Sequence, residues 1–402
     1  MLHGLTREAR FLLSCAYDSD ATPHRLQNLT TPELDWDLIF QSAEKHALIP
    51  LVYNTLQTKS VIVPSAFLEN LRLHALRIAG RNAVLRRDLL AVLQLLDTNG
   101  IQAIAYKGPV LAERLYGNVA LRYFDDLDLL LQKENILKAK DLLLKQGYQP
   151  KKDLAGLNAA QERAFLGFHY SYDFISKNSG HQLEIHWKIV PKTFSLALDY
   201  AGIWNRSIIL SFGGMPVRVF SAEDLLLILC VGGTKHVWKR LSRIVDIAQT
   251  LRLHRDLDWD QILSHAKSAG AERILFVGIS LASILFEAPL PERLKLQTEQ
   301  DPAVSSLVKR ITVHIFSKPE TSTVVQPEDQ FQPMHVFMRE RFMDRLSYCI
   351  RLAITPSVGE WSVIALPRPL YFLYYLLRPV RLAWKAMSRL MNYFLSSKNS
   401  LK

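Results

Sequence analysis

The stretch from Ala105 to Leu131, AYKGPVLAERLYGNVALRYFDDLDLLL, constrains the fold more than any other. It reads as a strand, a Gly turn, a short helix, and a second strand carrying Asp126 and Asp128. Successive strand side chains point to opposite faces. Asp126 and Asp128 therefore share one face, while Leu127, Leu129 and Leu131 share the other and call for a core. Two carboxylates side by side repel unless something positive lies between them, and a divalent cation is the usual answer. The pair points to metal-assisted phosphoryl chemistry.

The flanking segments predict what surrounds this stretch. Residues 1–98 carry apolar residues at three and four spacing and read as a helical supporting layer. LDWDLIFQSAEKHALIPLVYNTL is expected as one helix, and AFLENLRLHALRIAGRNAVLRRDLLAVLQLLDTNG as a second, stopped by Asn99-Gly100. From 99 to 212 strands and helices alternate, and HYSYDFISKNSGHQLEIHWKI reads as a hairpin turning at Asn178 to Gly180. In its second strand Glu184 and His186 share a face, opposite Leu183, Ile185 and Trp187. Residues 213–316 read as a helical domain whose start, Ser221 with Asp224, resembles a capping box. Residues 317–334 are polar and Pro-bearing, a linker or loop, and 335–402 form a basic, aromatic-rich C-terminal region. The fold class is α+β: a mixed sheet with helices, plus N-terminal and C-terminal helical regions.

Charge and cysteine content narrow the setting. The net charge of +11 is concentrated at the C-terminal end, where Arg339 to Lys402 holds 11 Lys/Arg against 3 Asp/Glu. Such an end suits an anionic partner, membrane lipid or nucleic acid, or else is a solvated basic surface. RLAWKAMSRLMNYFL is a candidate amphipathic basic helix for peripheral membrane contact, although apolar residues at helical spacing more often pack in a core. Cys15, Cys230 and Cys349 are too scattered for a disulfide framework or a zinc site. With no signal peptide and no apolar run of the roughly 20 residues a bilayer requires, the expected location is cytoplasmic, with the inner membrane face as a docking surface.

The residues around the aspartates supply further parts of a nucleotidyl-transfer site. Glu184 can complete a metal site or act as general base. Lys107 is placed to meet a phosphate, and Gly108 has no side chain to obstruct the approach of backbone to phosphate at the helix N-terminus that follows. Pro109 suits a first helical turn and removes one N–H from that cradle. Each residue also has a plainer reading. An isolated Asp-x-Asp is often a solvated strand end, His186 fits a hydrogen-bonded histidine beside the site, and Arg122 either orients the aspartates or lies on the surface. Lys235, His236, Lys239 and Arg240 are either contacts to base or phosphate or an exposed face with Trp238 and Leu241 buried beneath. Asp125 faces away by parity.

Together, KGPVLAERLYGNVALRYFDDLDLLL, LEIHW and KHVWKRLSRIVDIA resemble the uncharacterised nucleotidyltransferase family of bacteria, a branch of the polymerase-beta-like nucleotidyltransferase superfamily. The matching positions are Lys107, Gly108, Tyr116, Arg122, Asp126, Asp128, Glu184, His186, Trp187, His236, Trp238, Arg240, Leu241 and Asp246. The resemblance covers about residues 35 to 290. It implies Mg²⁺-dependent (or Mn²⁺-dependent) transfer of a nucleoside monophosphate from an NTP, ATP among them, with Asp126, Asp128 and Glu184 as metal ligands and catalytic residues. Lys107, Gly108, Arg122, Lys235, His236 and Arg240 are the expected nucleotide-binding residues. The acceptor is left open among RNA, protein and sugar phosphate. Two other readings compete: an inactive nucleotide-binding or membrane-associated scaffold on the same fold, and a phosphohydrolase using His186 and His169 with the aspartates.

Overall fold

The computed structural model describes residues 4–17, 23–31, 33–151, 162, 165–167, 169–316 and 333–354, with residues 373, 375, 378, 379 and 381 beyond them. Most of the expected 317–334 linker, and the basic tail apart from those five residues, lie outside the described residues. Among the described residues, no helix is long and apolar enough to cross a membrane.

Seven strands form one mixed sheet: β1 (Ala103–Ala105), β2 (Asp126–Leu131), β3 (Tyr148–Pro150), β4 (Ser171–Ser176), β5 (Gln182–His186), β6 (Ile208–Phe212) and β7 (Met215–Val219). Their order is β3-β4-β5-β2-β1-β7-β6. The β2–β5 and β1–β7 pairs are parallel and the others antiparallel. The β4–β5 hairpin turns where expected, with Gly180 at φ +72°. A second hairpin, β6–β7, turns on Gly213 and Gly214 at φ +60° and +79°. It carries the sheet past residue 212 and sets β7 beside β1.

Both faces of the sheet are covered, which is why β2 reads as a nearly continuous apolar run. Leu127, Leu129 and Leu131 join Leu183, Ile185 and Trp187 in a core with Leu85, Leu89 and Leu96 of the Ser65–Thr98 helix. Leu130, Ile104 and Tyr106 belong to a second core, built largely from the Ala222–Lys235, Leu241–Leu253 and Glu272–Phe286 helices. The Ser65–Thr98 helix spans 34 residues and serves both, because Phe67 and Leu71 at its start lie in the second core. Midway along it, buried Asn82 donates to the carbonyls of Val119 and Arg122 at 2.7 and 2.8 Å. That pins the turn leading into β2.

One expected helix is broken, and the helical domain is interrupted near its start. Residues 36–58 form separate helices, Trp36–Lys45 and Ile49–Thr58, because Ala47 takes φ +58° between them. The segment after Ser221 starts as expected, with the Ser221 hydroxyl accepting from the Asp224 amide at 3.1 Å. It then breaks after Lys235, where Val237 and Trp238 both adopt left-handed φ, +52° and +54°. Two such residues cost about 2–4 kcal/mol. Trp238 is fully buried in a slot floored by Gly233, where a Cβ would lie 2.3 Å from its ring. Burying an indole returns roughly 4–6 kcal/mol. Packing of one ring thus sets the course of the chain beside the site.

Candidate active site

The parallel β2–β5 pair places Asp128 directly opposite Glu184, Asp126 opposite Gln182, and Leu130 opposite His186. Directly opposed residues share a face. Asp126, Asp128, Glu184 and His186 therefore converge above one end of the sheet. Asp173 on β4 stands opposite Glu184 and extends the acidic row by one strand.

Asp128 is 3% exposed and asymmetrically satisfied. Its Oδ1 meets Lys107 Nζ at 3.2 Å, His186 Nε2 at 3.0 Å and the Tyr106 hydroxyl at 3.4 Å. Its Oδ2 is buried with no hydrogen-bond partner. His186 Nε2 also lies 3.3 Å from Glu184 Oε2, so one imidazole nitrogen spans two carboxylates. Ligand atoms of Asp128, Glu184 and His186 all lie within 4.8 Å of one another. A buried, open carboxylate oxygen within such a cluster fits a divalent cation.

The electrostatics point the same way. Burial, together with the neighbouring Asp128 charge, pushes the Asp126 pKa up to about 7. For Asp128, burial acts upward but is outweighed by the Lys107 ammonium and the His186 hydrogen bond, which hold it well below the carboxylate range. Glu184 follows Asp128: burial is overcome by its hydrogen bond from His186, and its pKa falls. Burial and Glu184 raise Asp173. His186 is raised, because its bonds to Asp128 and Glu184 outweigh burial. Four carboxylates thus face two lysines, Lys107 and Lys151, and one histidine. A further positive charge would relieve the repulsion that Asp126 registers.

Lys107 and Gly108 stand where β1 gives way to the Gly108–Tyr116 helix. Gly108 has φ +58°, and a Cβ there would lie 3.2 Å from the Asp126 carbonyl oxygen. Only glycine fits this close approach without strain. Pro109 occupies the first turn of the helix.

The remaining expected residues divide. Lys235 donates to the Tyr170 hydroxyl at 2.9 Å, and the Tyr170 ring lies 5.8 Å from the His186 ring. His236, beside it, has a pKa well below the usual value through burial and then the charges of Arg243, Lys235 and Lys107, with Asp128 pulling the other way. Both flank the carboxylates. Trp238 and Leu241 are buried, as the plainer reading of this segment expects. Arg122 lies within the field of Asp128, but its hydrogen bonds go elsewhere. It holds Asp246 through Nε–Oδ1 and Nη2–Oδ2 contacts of 3.0 and 2.9 Å, and Tyr116 donates to the same carboxylate at 2.8 Å. Three positions of the family motif are therefore joined in one buried knot. Arg240 faces Asp125, 3.9 Å away, and not the triad.

Tyr106, Asp173 and Arg243 escape the sequence reading. Tyr106 directly precedes Lys107, but its contact with Asp128 depends on the β1–β2 register. Asp173 is visible only once β4 is registered on β5. Arg243 is brought within the field of Asp126 by the break at Val237 and Trp238.

A mixed sheet with paired acidic strands and a Lys-Gly turn at a helix N-terminus is of the nucleotidyltransferase class. Residues 32–287 match the family described as "Uncharacterised nucleotidyltransferase", and the chain belongs to it. No curated protein matches the chain. A similar solved structure is that of an antigenic nucleotidyltransferase-like protein from Paracoccidioides brasiliensis, 14% identical, with a TM-score of 0.31 over 57% of this chain and 92% of that one.

Proposed function

We propose that the protein transfers a nucleoside monophosphate from an NTP to an acceptor, within a polymerase-beta-like branch of nucleotidyltransferases. Asp126, Asp128 and Glu184 would hold Mg²⁺ or Mn²⁺, with His186 either a further ligand or the group that orients Asp128 and Glu184. The ions would neutralise the triphosphate and the charge that develops in displacement. The observation that carries the reading is the Asp128–Glu184 rung with Lys107 and Gly108 beside it.

In the reaction, the acceptor oxygen bonds to the α-phosphorus, the bond to the β-phosphate bridge breaks, and pyrophosphate leaves. Lys107, whose ammonium already meets Asp128, would swing onto the phosphates, and the Gly108–Tyr116 helix would direct its positive end at them. A bound cation would relieve the repulsion that raises Asp126, so Asp126 would serve as a ligand, and Glu184 would complete the metal site or take the acceptor proton. Lys235 and His236 would border the nucleotide from the helical side. Tyr106 would hold Asp128 in place. Residues 99–219, one strand longer than the expected 99–212, would serve as the core unit and the helices from Ala222 to Phe316 as the helical one, in the cytoplasm.

A second reading has its own support: His186 Nε2 itself spans Asp128 and Glu184, at 3.0 and 3.3 Å. That arrangement would suit a scaffold that binds NTP without turnover. Pyrophosphate release separates the two. Incubation with each NTP, Mg²⁺ and a cell extract should release pyrophosphate from wild type and not from Asp126→Ala. Tight NTP binding with no pyrophosphate under any condition would favour the scaffold.

A further inference from the structure

Beside the Arg81 and Arg240 side chains that meet Asp125 lies a cavity of about 390 Å³, bordered by the Ile49–Thr58 and Ser65–Thr98 helices and Tyr123. It is not the carboxylate cluster itself. Its charged lining is Arg77, Arg81 and Arg240, against a single acid, Glu44.

Asp125 arranges this wall. Its Oδ1 accepts from Arg81 Nη1 at 2.9 Å and its Oδ2 lies 3.9 Å from Arg240 Nη1. Both guanidinium groups also sit over the ring of Tyr123, at 4.4 and 5.8 Å from its centroid. Arg81 is further fixed by a bond to the Phe124 carbonyl. One carboxylate and one ring therefore gather two guanidinium groups on one wall, Arg81 held by hydrogen bonds and Arg240 by charge. Arg77, exposed on the next turn of the long helix, has no ion-pair partner among the described residues. Three arginines against Glu44 and Asp125 leave one positive charge uncompensated. Planar guanidinium groups held in place recognise oxyanions bidentately, which flexible lysines do not.

The position relative to the triad matters as much as the charge. Lys107 meets the chain at Asp128, whereas the arginine wall meets it at Asp125. Three residues of extended chain span at most about 11 Å. Along the chain, Asp126 lies between the residues that meet the two cationic groups. In-line displacement puts the attacking oxygen and the leaving pyrophosphate on opposite sides of the α-phosphorus. With the triphosphate on the Lys107 side, the arginine side is left for the acceptor.

We infer that this cavity is the acceptor subsite, and that the acceptor is a small molecule bearing a phosphomonoester, held by Arg77, Arg81 and Arg240. The inference rests on the nucleotidyl-transfer reading for the direction of the reaction. It moves Arg240 from the nucleotide to the acceptor and gives Asp125 a positioning role. The volume is that of a small-ligand pocket, which typically spans roughly 300–1,000 Å³.

The test uses the full chain and two probes, inorganic phosphate and the four Mg²⁺–NTP complexes, each titrated by calorimetry. Arg77→Gln and Arg240→Gln should each weaken phosphate binding by about tenfold or more, the loss of one charge-assisted contact, while the NTP that binds wild type retains its affinity. Lys107→Ala should do the reverse. The acceptor assignment is overturned if both arginine variants bind phosphate like wild type, or if they lose NTP along with it. If wild type binds phosphate through these arginines but binds no NTP, the nucleotidyl-transfer reading fails with the acceptor assignment, and an oxyanion site alone remains.

Discussion

Arg122 and Asp246 form a buried, bidentate ion pair that joins the approach to β2 to the Leu241–Leu253 helix, with side-chain exposures of 14% and 2%. Tyr116 completes it. This knot holds the acidic strand and the segment bearing Lys235, His236 and Arg240 in one frame, so its contribution to activity is through geometry.

Removing one partner should therefore be costly. Asp246→Ala leaves the Arg122 guanidinium buried and uncompensated, and should lower unfolding stability by about 3–5 kcal/mol in urea titration. Replacing both, as Arg122→Met with Asp246→Leu, should cost less than the single change. A single variant as stable as wild type would contradict the frame.

Gly108→Ala forces a left-handed residue to carry a side chain 3.2 Å from the Asp126 carbonyl oxygen. The expected cost is about 1–2 kcal/mol. Because the strain is passed to the strand that bears Asp126, activity should fall by more than the loss of folded protein explains. Denaturant midpoints and specific activity, measured on the same preparation, separate the two.

Gly233 and Gly232 are adjacent in one helix and face different surroundings. A Cβ on Gly233 would collide with the Trp238 ring, whereas one on Gly232 meets nothing within 4 Å. Gly233→Ala should destabilise by about 1–3 kcal/mol through overpacking. Gly232→Ala should be neutral or stabilise by up to about 1 kcal/mol. Thermal melts of the two, with near-UV dichroism reporting on the indole, check the slot.

His46 gives a pH dependence. It is buried, and burial followed by the Lys45 charge lowers its pKa to about 3. The Leu241 amide donates to its Nδ1, which asks for the neutral ring. A histidine in the unfolded chain binds a proton below about 6.5 that the folded protein refuses. Its contribution is thus fully present above that pH and is lost as pH falls from about 6.5 toward 3, at no more than about 1.4 kcal/mol per pH unit. His46→Asn should flatten this limb relative to wild type in unfolding titrations between pH 7 and 5. Parallel limbs would show that His46 is not buried neutral.

The fold and site were legible to different depths. The alternation of Asp126 and Asp128 with Leu127, Leu129 and Leu131 exposed the two faces of β2, because strand parity is local. The same parity put Glu184 and His186 on one face of β5. What parity does not contain is register: that Asp128 stands opposite Glu184, or that Asp173 follows on β4, depends on pairing between distant segments. The break at Val237 and Trp238 ran against local preference, since it is paid for by a ring buried against Gly233 and Gly278. Arg77 and Arg81 carried no signal on an evidently amphipathic helix. They gain meaning only through Tyr123 and Arg240, which tertiary packing brings to them.

The central claim, that Asp126, Asp128 and Glu184 form a divalent-cation site for nucleotidyl transfer, is tested most directly by following label from each α-³²P-NTP into cell-extract components, with Mg²⁺ and with excess chelator. Wild type should label an acceptor only with the cation present, and Asp126→Ala and Asp128→Ala, each verified as folded, should lose at least about 100-fold in rate. Labelling by either variant at the wild-type rate, or labelling that persists in chelator, would contradict the account.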